Sequence, residues 1–207
     1  MNDSKYFELA RMIAGWRGLV AGPPEELVED SLVLLVHLGD AHRLVDVGSG
    51  GGLPGLPLKI ARPDLAVTLI EADQAKAAFL VQAAARLGLG DVEVVARRAE
   101  EVGRDRRYRE AFDVAVARAL APMPVLAELC LPLVCVGGRL LAQKTDTEKE
   151  EIDAAKHAIE LLGGSPRGVH PAPSTARSSG VVVEIAKVRP TPDAYPRRAG
   201  VPNRKPL

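Results

Sequence analysis

Short apolar runs alternate with helical segments along most of this 207-residue chain, and this alternation constrains the fold more than any other feature. The runs are apolar at successive positions, which is typical of strands covered on both faces of a parallel sheet. Helices between such strands supply the crossover connections. The predicted strands are Leu44–Val47, Val67–Ile70, Val92–Val95, Val114–Ala117, Arg139–Ala142 and Val181–Lys187. The predicted helices are Leu56–Ala61, Gln74–Leu87, Val125–Val134 and Thr147–Leu161.

The two ends of the chain differ from this central region. An amphipathic section ending near Trp16 and a second helix over Glu25–Leu38 predict an N-terminal helical cap. The last strand follows a Gly/Pro/Ser-rich segment, Gly163–Gly180, which predicts an irregular connection and an antiparallel strand. We expect one domain over residues 1–207, with the cap in 1–40, an α/β core in 41–188 and a basic tail in 189–207.

The charge distribution argues against a globally basic nucleic-acid binder. Lys and Arg total 27, as do Asp and Glu. The charge is uneven, however, because residues 187–207 hold six basic residues against one acidic residue, while residues 1–40 hold three basic against seven acidic. This asymmetry predicts a local contact with a polyanion.

Other residue patterns address compartment and metal binding. Cys130 and Cys135 are spaced neither as a disulfide framework nor as a metal pair, so buried free thiols in a reducing compartment are expected. The four histidines show no ligand spacing, and no metal site is predicted. Neither a signal peptide at MNDSKYFELARMI nor an apolar run of 18 residues is found, so we expect a cytoplasmic protein, and we favour a monomer.

The segment LVDVGSGGGLPG, residues 44–55, places a glycine-rich loop directly after the first predicted strand. Such a loop allows close approach of backbone to a ligand. A phosphate-binding P-loop is excluded because no Lys-Ser/Thr pair follows the glycines. A dinucleotide loop remains open, since residues 50–55 match GxGxxG and Glu71 lies where a ribose-binding acid is expected.

A frame starting at Asp46 favours S-adenosylmethionine over a dinucleotide. Residues 46–52 read DxGxGxG, and an acid at the strand end can bind the ammonium of a methionine moiety directly or through water. A pyrophosphate would be repelled by an acid so close to it. Glu71, after the second strand, can accept hydrogen bonds from the ribose hydroxyls.

Several blocks, in order, resemble the small-subunit ribosomal RNA guanine-N7 methyltransferases, also called the glucose-inhibited division protein B family. The blocks are LVDVGSGGGLPGLPLKI, TLIEADQAKAAFL, ARRAEEV, FDVAVARALA, GGRLLAQK and PTPDAYPRRAGVPNRKPL. The likeness covers most of the chain after Pro24. Two departures are Ala77, where a second basic residue is common, and Thr145, where the family has glycine.

The resemblance implies a Rossmann-like class I methyltransferase fold with a seven-stranded, mostly parallel sheet and an antiparallel last strand. With the two loop residues Asp46 and Gly50, it implies cofactor contacts at Gly48, Leu53, Glu71, Ala99, Glu100 and Arg118. Guanine N7 has an in-plane lone pair and needs no general base, so we assign no catalytic residue. The predicted partner is small-subunit ribosomal RNA or the 30S particle, with Lys76, Lys144, Arg197 and Arg198 as candidate RNA contacts and Arg17 and Arg97 as weaker ones.

Simpler interpretations stay open for some residues. Arg118 can pair with a nearby acid, Lys144 can be a solvated lysine at a strand end, and the segment around Tyr195 can pack back on the sheet. Three other functions also stay open: a methyltransferase acting on another RNA or a small molecule, a non-catalytic RNA-binding paralogue, and an NAD oxidoreductase.

Overall fold

The computed structural model describes residues 3–16, 18–145 and 149–207. These residues form one seven-stranded sheet in the order β3-β2-β1-β4-β5-β7-β6. The strands are β1 (Arg43–Val47), β2 (Ala66–Ile70), β3 (Val92–Val95), β4 (Phe112–Arg118), β5 (Val134–Thr145), β6 (Gly164–Pro171) and β7 (Gly180–Lys187). The first five strands run parallel, and β7 is antiparallel to both of its neighbours, as the sequence predicts for the last strand.

The helices pack against both faces of this sheet. They are α1 (Asp3–Ala14), α2 (Pro24–Ser31), α3 (Gly55–Ala61), α4 (Gln74–Arg86), α5 (Ala99–Val102), α6 (Met123–Cys130), α7 (Lys149–Ala154), α8 (Lys156–Leu161) and α9 (Val201–Arg204). Two 3-10 helices, Leu32–His37 and Leu131–Leu133, continue α2 and α6. None of the helices in these three ranges combines the length and apolarity that a bilayer crossing requires.

The sheet separates two apolar layers, as expected for strands covered on both faces. In β1, Leu44 packs into one layer and its neighbour Val45 into the other, and both are fully buried. The first layer includes Leu9 and Ile13 of α1, so the N-terminal cap shares the core of the α/β region. Burial of this kind stabilises the fold by about 25 cal/mol for each Å² of apolar surface removed from water.

Local sequence explains where α4 begins. Asp73 precedes the helix in extended conformation, and its Oδ1 accepts hydrogen bonds from the backbone N–H groups of Ala75 and Lys76 at 2.8 and 3.0 Å. Such a cap satisfies N–H groups that have no partner within the helix. The turn between Glu71 and α4 is held by the same residue, because Asp73 N also donates to Oε1 of Glu71.

Four predicted elements need correction. Gly163–Gly180, predicted as irregular, contains β6. The helix predicted over Val125–Val134 is wrong at its end, because the α-helix stops at Cys130, Pro132 lies in a 3-10 turn, and Val134 begins β5. The predicted helix Glu25–Leu38 is α-helical only to Ser31.

The region predicted as one helix over Thr147–Leu161 is divided into α7 and α8, with a turn at Ala155. Thr147 and the weaker RNA candidate Arg17 lie outside the described residues. Both cysteines are free thiols, as expected, but only Cys130 is buried, while Cys135 is half-buried.

Candidate active site

A cavity of about 570 Å³ lies at the carboxyl ends of the central parallel strands. In this sheet the chain order reverses between β1 and β4, and ligands of open α/β sheets bind at such a point. The structure brings seven of the eight predicted cofactor residues to this cavity, and their roles there remain predictions. They are Gly48, Gly50, Leu53, Glu71, Ala99, Glu100 and Arg118.

The glycine-rich loop after β1 forms one wall. The backbone N–H groups of Gly48 and Ser49 donate to the carbonyl oxygen of Ile70 at 2.9 and 3.0 Å, which ties the loop to the end of β2. Gly48 has a φ of 74°, and a Cβ there would collide with Cδ1 of Leu120. Only glycine suits both the conformation and the space, so the loop can present bare backbone to a ligand.

Glu71 lies at the end of β2 with both carboxylate oxygens held by backbone. Its Oε2 accepts from Gly50 N at 2.9 Å and its Oε1 accepts from Asp73 N at 2.8 Å. Each oxygen keeps a second lone pair. The side chain is therefore fixed in orientation and can still accept hydrogen bonds from hydroxyl groups in the cavity.

Asp46 is the predicted cofactor residue that does not line the cavity. It is fully buried beneath the loop, where Oδ2 accepts from Gly55 N at 2.9 Å and Oδ1 has no hydrogen-bond partner among the described residues. Burial raises the pKa of this carboxyl to about 7, although the Gly55 N–H bond and Arg118 oppose the rise. Asp46 thus acts on the loop through Gly55, and its contact with a methionine ammonium stays a prediction.

Glu100 connects the cavity to the C-terminal tail. It lies in α5, directly after β3, with 5% of its surface exposed. Its Oε1 accepts from Gly200 N at 2.7 Å, and Asn203 of α9 also lines the cavity. The tail therefore forms part of the cavity wall, which no feature of the sequence had indicated.

Arg118, at the end of β4, is held beside a buried acid. Its Nη1 donates to Leu27 O at 3.1 Å and lies 3.5 Å from Oδ2 of Asp30, which is fully buried. Burial lowers the pKa of the Arg118 guanidinium, and the charges of Asp30 and Asp46 oppose that effect. The pairing expected from the simpler interpretation is thus present, and Arg118 still lines the cavity.

Arg177 is a cavity residue that the sequence analysis missed. Its Nε donates to both carboxylate oxygens of Asp30, at 3.0 and 3.1 Å, and its Nη1 donates to Lys144 O at 2.5 Å. Arg177 lies in the segment predicted as irregular, where no sequence feature indicated a site residue. Two arginines share one carboxylate here, so this end of the cavity is basic, whereas Glu71 and Glu100 line the cavity together with Lys76, Arg97 and Arg98.

The four predicted RNA contacts occupy different environments. Lys76 lines the cavity and is half-buried. Lys144 is 8% exposed and pairs with Glu151 at 2.9 Å, so the interpretation as a solvated lysine is wrong. Arg197 pairs through Nε and Nη2 with the fully buried Glu128, the shortest contact being 2.6 Å, whereas its neighbour Arg198 is exposed.

The C-terminal tail packs back on the rest of the domain, as the simpler interpretation of the segment around Tyr195 predicts. Arg109 donates from Nη1 to Tyr195 O at 2.8 Å and from Nη2 to Thr191 O at 2.7 Å. Together with the Arg197–Glu128 pair, these bonds hold the tail on the α/β core. Among the weaker candidates, Arg97 pairs with Asp105 at 2.8 Å, lines the cavity and is 42% exposed.

Comparisons with known proteins identify the family and the fold. A family model described as "rRNA small subunit methyltransferase G" matches residues 23–178. A ribosomal RNA small subunit methyltransferase G of Moorella thermoacetica is 46% identical over 87% of this chain and 76% of its own length. One of Roseiflexus sp. strain RS-1 is 50% identical over 86% and 76%. A Bacillus cereus O-methyltransferase solved with SAH has a similar fold, with a TM-score of 0.65, 19% identity and coverage of 89% and 91%.

Proposed function

Because the chain belongs to the rRNA small subunit methyltransferase G family, we propose that it transfers the methyl group of S-adenosylmethionine to N7 of a guanine in small-subunit ribosomal RNA. One observation carries the proposal: seven residues predicted from the family blocks and the loop frame, scattered from Gly48 to Arg118, line a single cavity. The volume of about 570 Å³ falls within the range of about 300–1,000 Å³ for small-molecule sites.

Individual groups of the cavity wall orient the cofactor. Glu71 binds the ribose hydroxyls, because both its oxygens are fixed by backbone N–H groups and keep free lone pairs. Ala99 and Glu100 lie beside the adenine, after β3. The bare loop at Gly48–Gly52 faces the methionine end, where the bound cofactor supplies an electrophilic methyl group on a sulfonium.

The basic end of the cavity receives the target base. Arg118 ends β4, and Arg177 lies beside it through their shared partner Asp30. Since N7 of guanine is nucleophilic without loss of a proton, these side chains orient the base and need not accept a proton. Rate then depends on aligning N7 with the methyl group and on excluding water, for which effective molarities of about 10⁵ M or more are available.

The partner is small-subunit RNA, free or assembled, and the reaction takes place in the cytoplasm with the enzyme as a monomer. The exposed Arg198 and the half-buried Lys76 are the side chains best placed to contact phosphate, because Lys144 and Arg197 are engaged in ion pairs. Binding through such contacts is weakened by salt.

Cofactor binding and methyl transfer test the proposal together. Calorimetry should detect S-adenosylmethionine binding that Glu71→Ala weakens by about tenfold or more, since its carboxylate supplies charge-assisted hydrogen bonds worth about 1.5–3 kcal/mol. Glu25→Ala, at an exposed position in α2, should leave binding unchanged. Labelled methyl should pass to small-subunit particles or their RNA. Binding of NAD in place of S-adenosylmethionine, or RNA retention without transfer, would overturn the proposal.

A further inference from the structure

Two histidines and a glutamate that are far apart in the sequence meet outside the active-site cavity. His37 ends the 3-10 helix after α2, His170 lies on β6, and Glu184 lies on β7. One ligand atom from each of the three lies within 4.8 Å of the other two. None of them lines the cavity described above, so the cluster has no part in the proposed methyl transfer.

The fold explains why the sequence showed no metal spacing here. His170 is opposite Val182 in the β6–β7 register, and Glu184 is two residues further along β7, so the two side chains share one face of the sheet. That face is covered by the N-terminal cap, which contributes His37. The imidazole rings of His37 and His170 are 5.0 Å apart between centroids.

We propose that His37, His170 and Glu184 bind one Zn²⁺ ion, with water at the fourth position. Two imidazole nitrogens and one carboxylate oxygen form a donor set that zinc uses when one position stays open. Zinc holds such ligands at about 2.0–2.2 Å, so neighbouring ligand atoms in a tetrahedral site lie about 3.3 Å apart. Nε2 of His170 and Oε2 of Glu184 are already 3.1 Å apart.

The surroundings leave room for the ion. A Cβ at Gly168 would lie 3.2 Å from both Cε1 and Nε2 of His170, so the absence of a side chain there keeps the ring edge open. The His170 side chain is 41% exposed and the Glu184 side chain is 22% exposed. Both side chains can therefore rotate to bring ligand atoms that are now up to 4.8 Å apart to the spacing that zinc requires. Arg139, whose Nη1 donates to His37 O at 3.3 Å, places a positive charge nearby, and the Glu184 carboxylate offsets it.

A bound ion would join the N-terminal cap to the β6–β7 edge of the sheet. An ion that binds only the folded chain stabilises it, by an amount that grows with the logarithm of the ion concentration once that concentration exceeds Kd. The expected role is therefore structural, and it holds whether or not the proposed methyltransferase activity is correct.

Zinc titration of the full chain, without a polyhistidine tag and stripped of metal, tests this site. Calorimetry should show one ion bound per chain, and the double variant His37→Gln/His170→Gln should lose at least about tenfold in affinity. The matched control His42→Gln/His157→Gln removes two exposed histidines and should bind as the parent does. Mg²⁺, which prefers oxygen ligands, should not compete.

Imidazole NMR signals locate the ion independently of affinity. Zinc should shift the ring signals of His37 and His170 and leave those of His42 and His157 in place. Glu184→Gln keeps both histidines and should weaken binding without abolishing the shifts, which covers the case of a poorly folded double variant. Absence of binding in the parent chain, equal affinity in the double variant, or shifts confined to His42 or His157 would overturn the proposal.

Discussion

Asp46 carries an ionisable group into the core beneath a loop that must stay bare of side chains. Its Oδ2 bonds to Gly55 N, and its Oδ1 has no hydrogen-bond partner within the described ranges. A single N–H bond does not compensate for complete burial of a carboxylate. The folded chain therefore holds the proton of Asp46 more tightly than an unfolded chain does, which is why its pKa rises to about 7.

This burial predicts a pH-dependent loss of stability. Well below its unfolded-state pKa of 3.8, Asp46 is protonated in both states. As the pH rises from there to about 7, the unfolded state gains stability by ionising first, on the order of 4 kcal/mol in total. Asp46→Asn removes that ionisation and keeps an acceptor for Gly55 N. Urea unfolding should show Asp46→Asn gaining on the parent between pH 4 and pH 8. A stability difference between the two chains that stays constant across this range would contradict the account.

Asp30 is another fully buried acid, but unlike Asp46 it is surrounded by donors and cations. Arg177 donates to both its oxygens, Ser174 Oγ donates at 2.5 Å, and Arg118 lies 3.5 Å away. Removing one partner of a buried charge pair costs about 3–5 kcal/mol. Arg177→Ala should lower the free energy of unfolding by about 3 kcal/mol in urea titrations. Arg167→Ala, at an exposed position on β6, should change it by less than about 0.5 kcal/mol. Equal effects from the two variants would exclude a stabilising role for the pair.

At the scale of elements, two adjacent arginines of the basic tail lie in different environments. Arg197 pairs with the fully buried Glu128, and Arg198 is exposed. Arg197→Met should destabilise the fold by about 3 kcal/mol, because Glu128 would be left buried without its cation. Arg198→Met should leave stability unchanged.

RNA binding, unlike stability, should depend on Arg198. If Arg198 contacts phosphate, Arg198→Met lowers the slope of log affinity against log salt by about 0.7–0.9. Filter binding over a range of salt concentrations measures this slope. If the salt slope is unchanged in Arg198→Met, Arg198 of the tail does not contact RNA phosphate.

Strands with a strong apolar pattern could be predicted from the sequence. The strand that was not predicted, β6, has a weak pattern. The apolar runs at β1 and β2 leave no choice but a buried strand. By contrast, β6 contains Pro166, Gly168 and Pro171, which are poor strand formers, and it is mostly exposed. It is a strand because β7 offers hydrogen-bonding groups along its free edge, which is information from outside the segment.

At the scale of the whole molecule, the cavity residues that belong to contiguous motifs could be predicted from the sequence, and those at the basic end could not. Gly48 and Glu71 belong to contiguous motifs whose residue types follow from the ligand's chemistry. The basic end depends on Asp30 and Arg177, 147 positions apart, which only the packing of the cap on the sheet brings together. The family predicted from the blocks is confirmed by the match over residues 23–178.

The central claim is that this cavity aligns N7 of a guanine in small-subunit ribosomal RNA with a methyl donor. Incubating the protein with labelled S-adenosylmethionine and small ribosomal subunits, then digesting the RNA and identifying the labelled nucleoside, tests the claim most directly. The account predicts label in N7-methylguanosine from one position, and loss of that label with Gly48→Asp, which places a side chain against Leu120 in a loop conformation that favours glycine. Label on another atom, on another base, or on no nucleoside at all would contradict it.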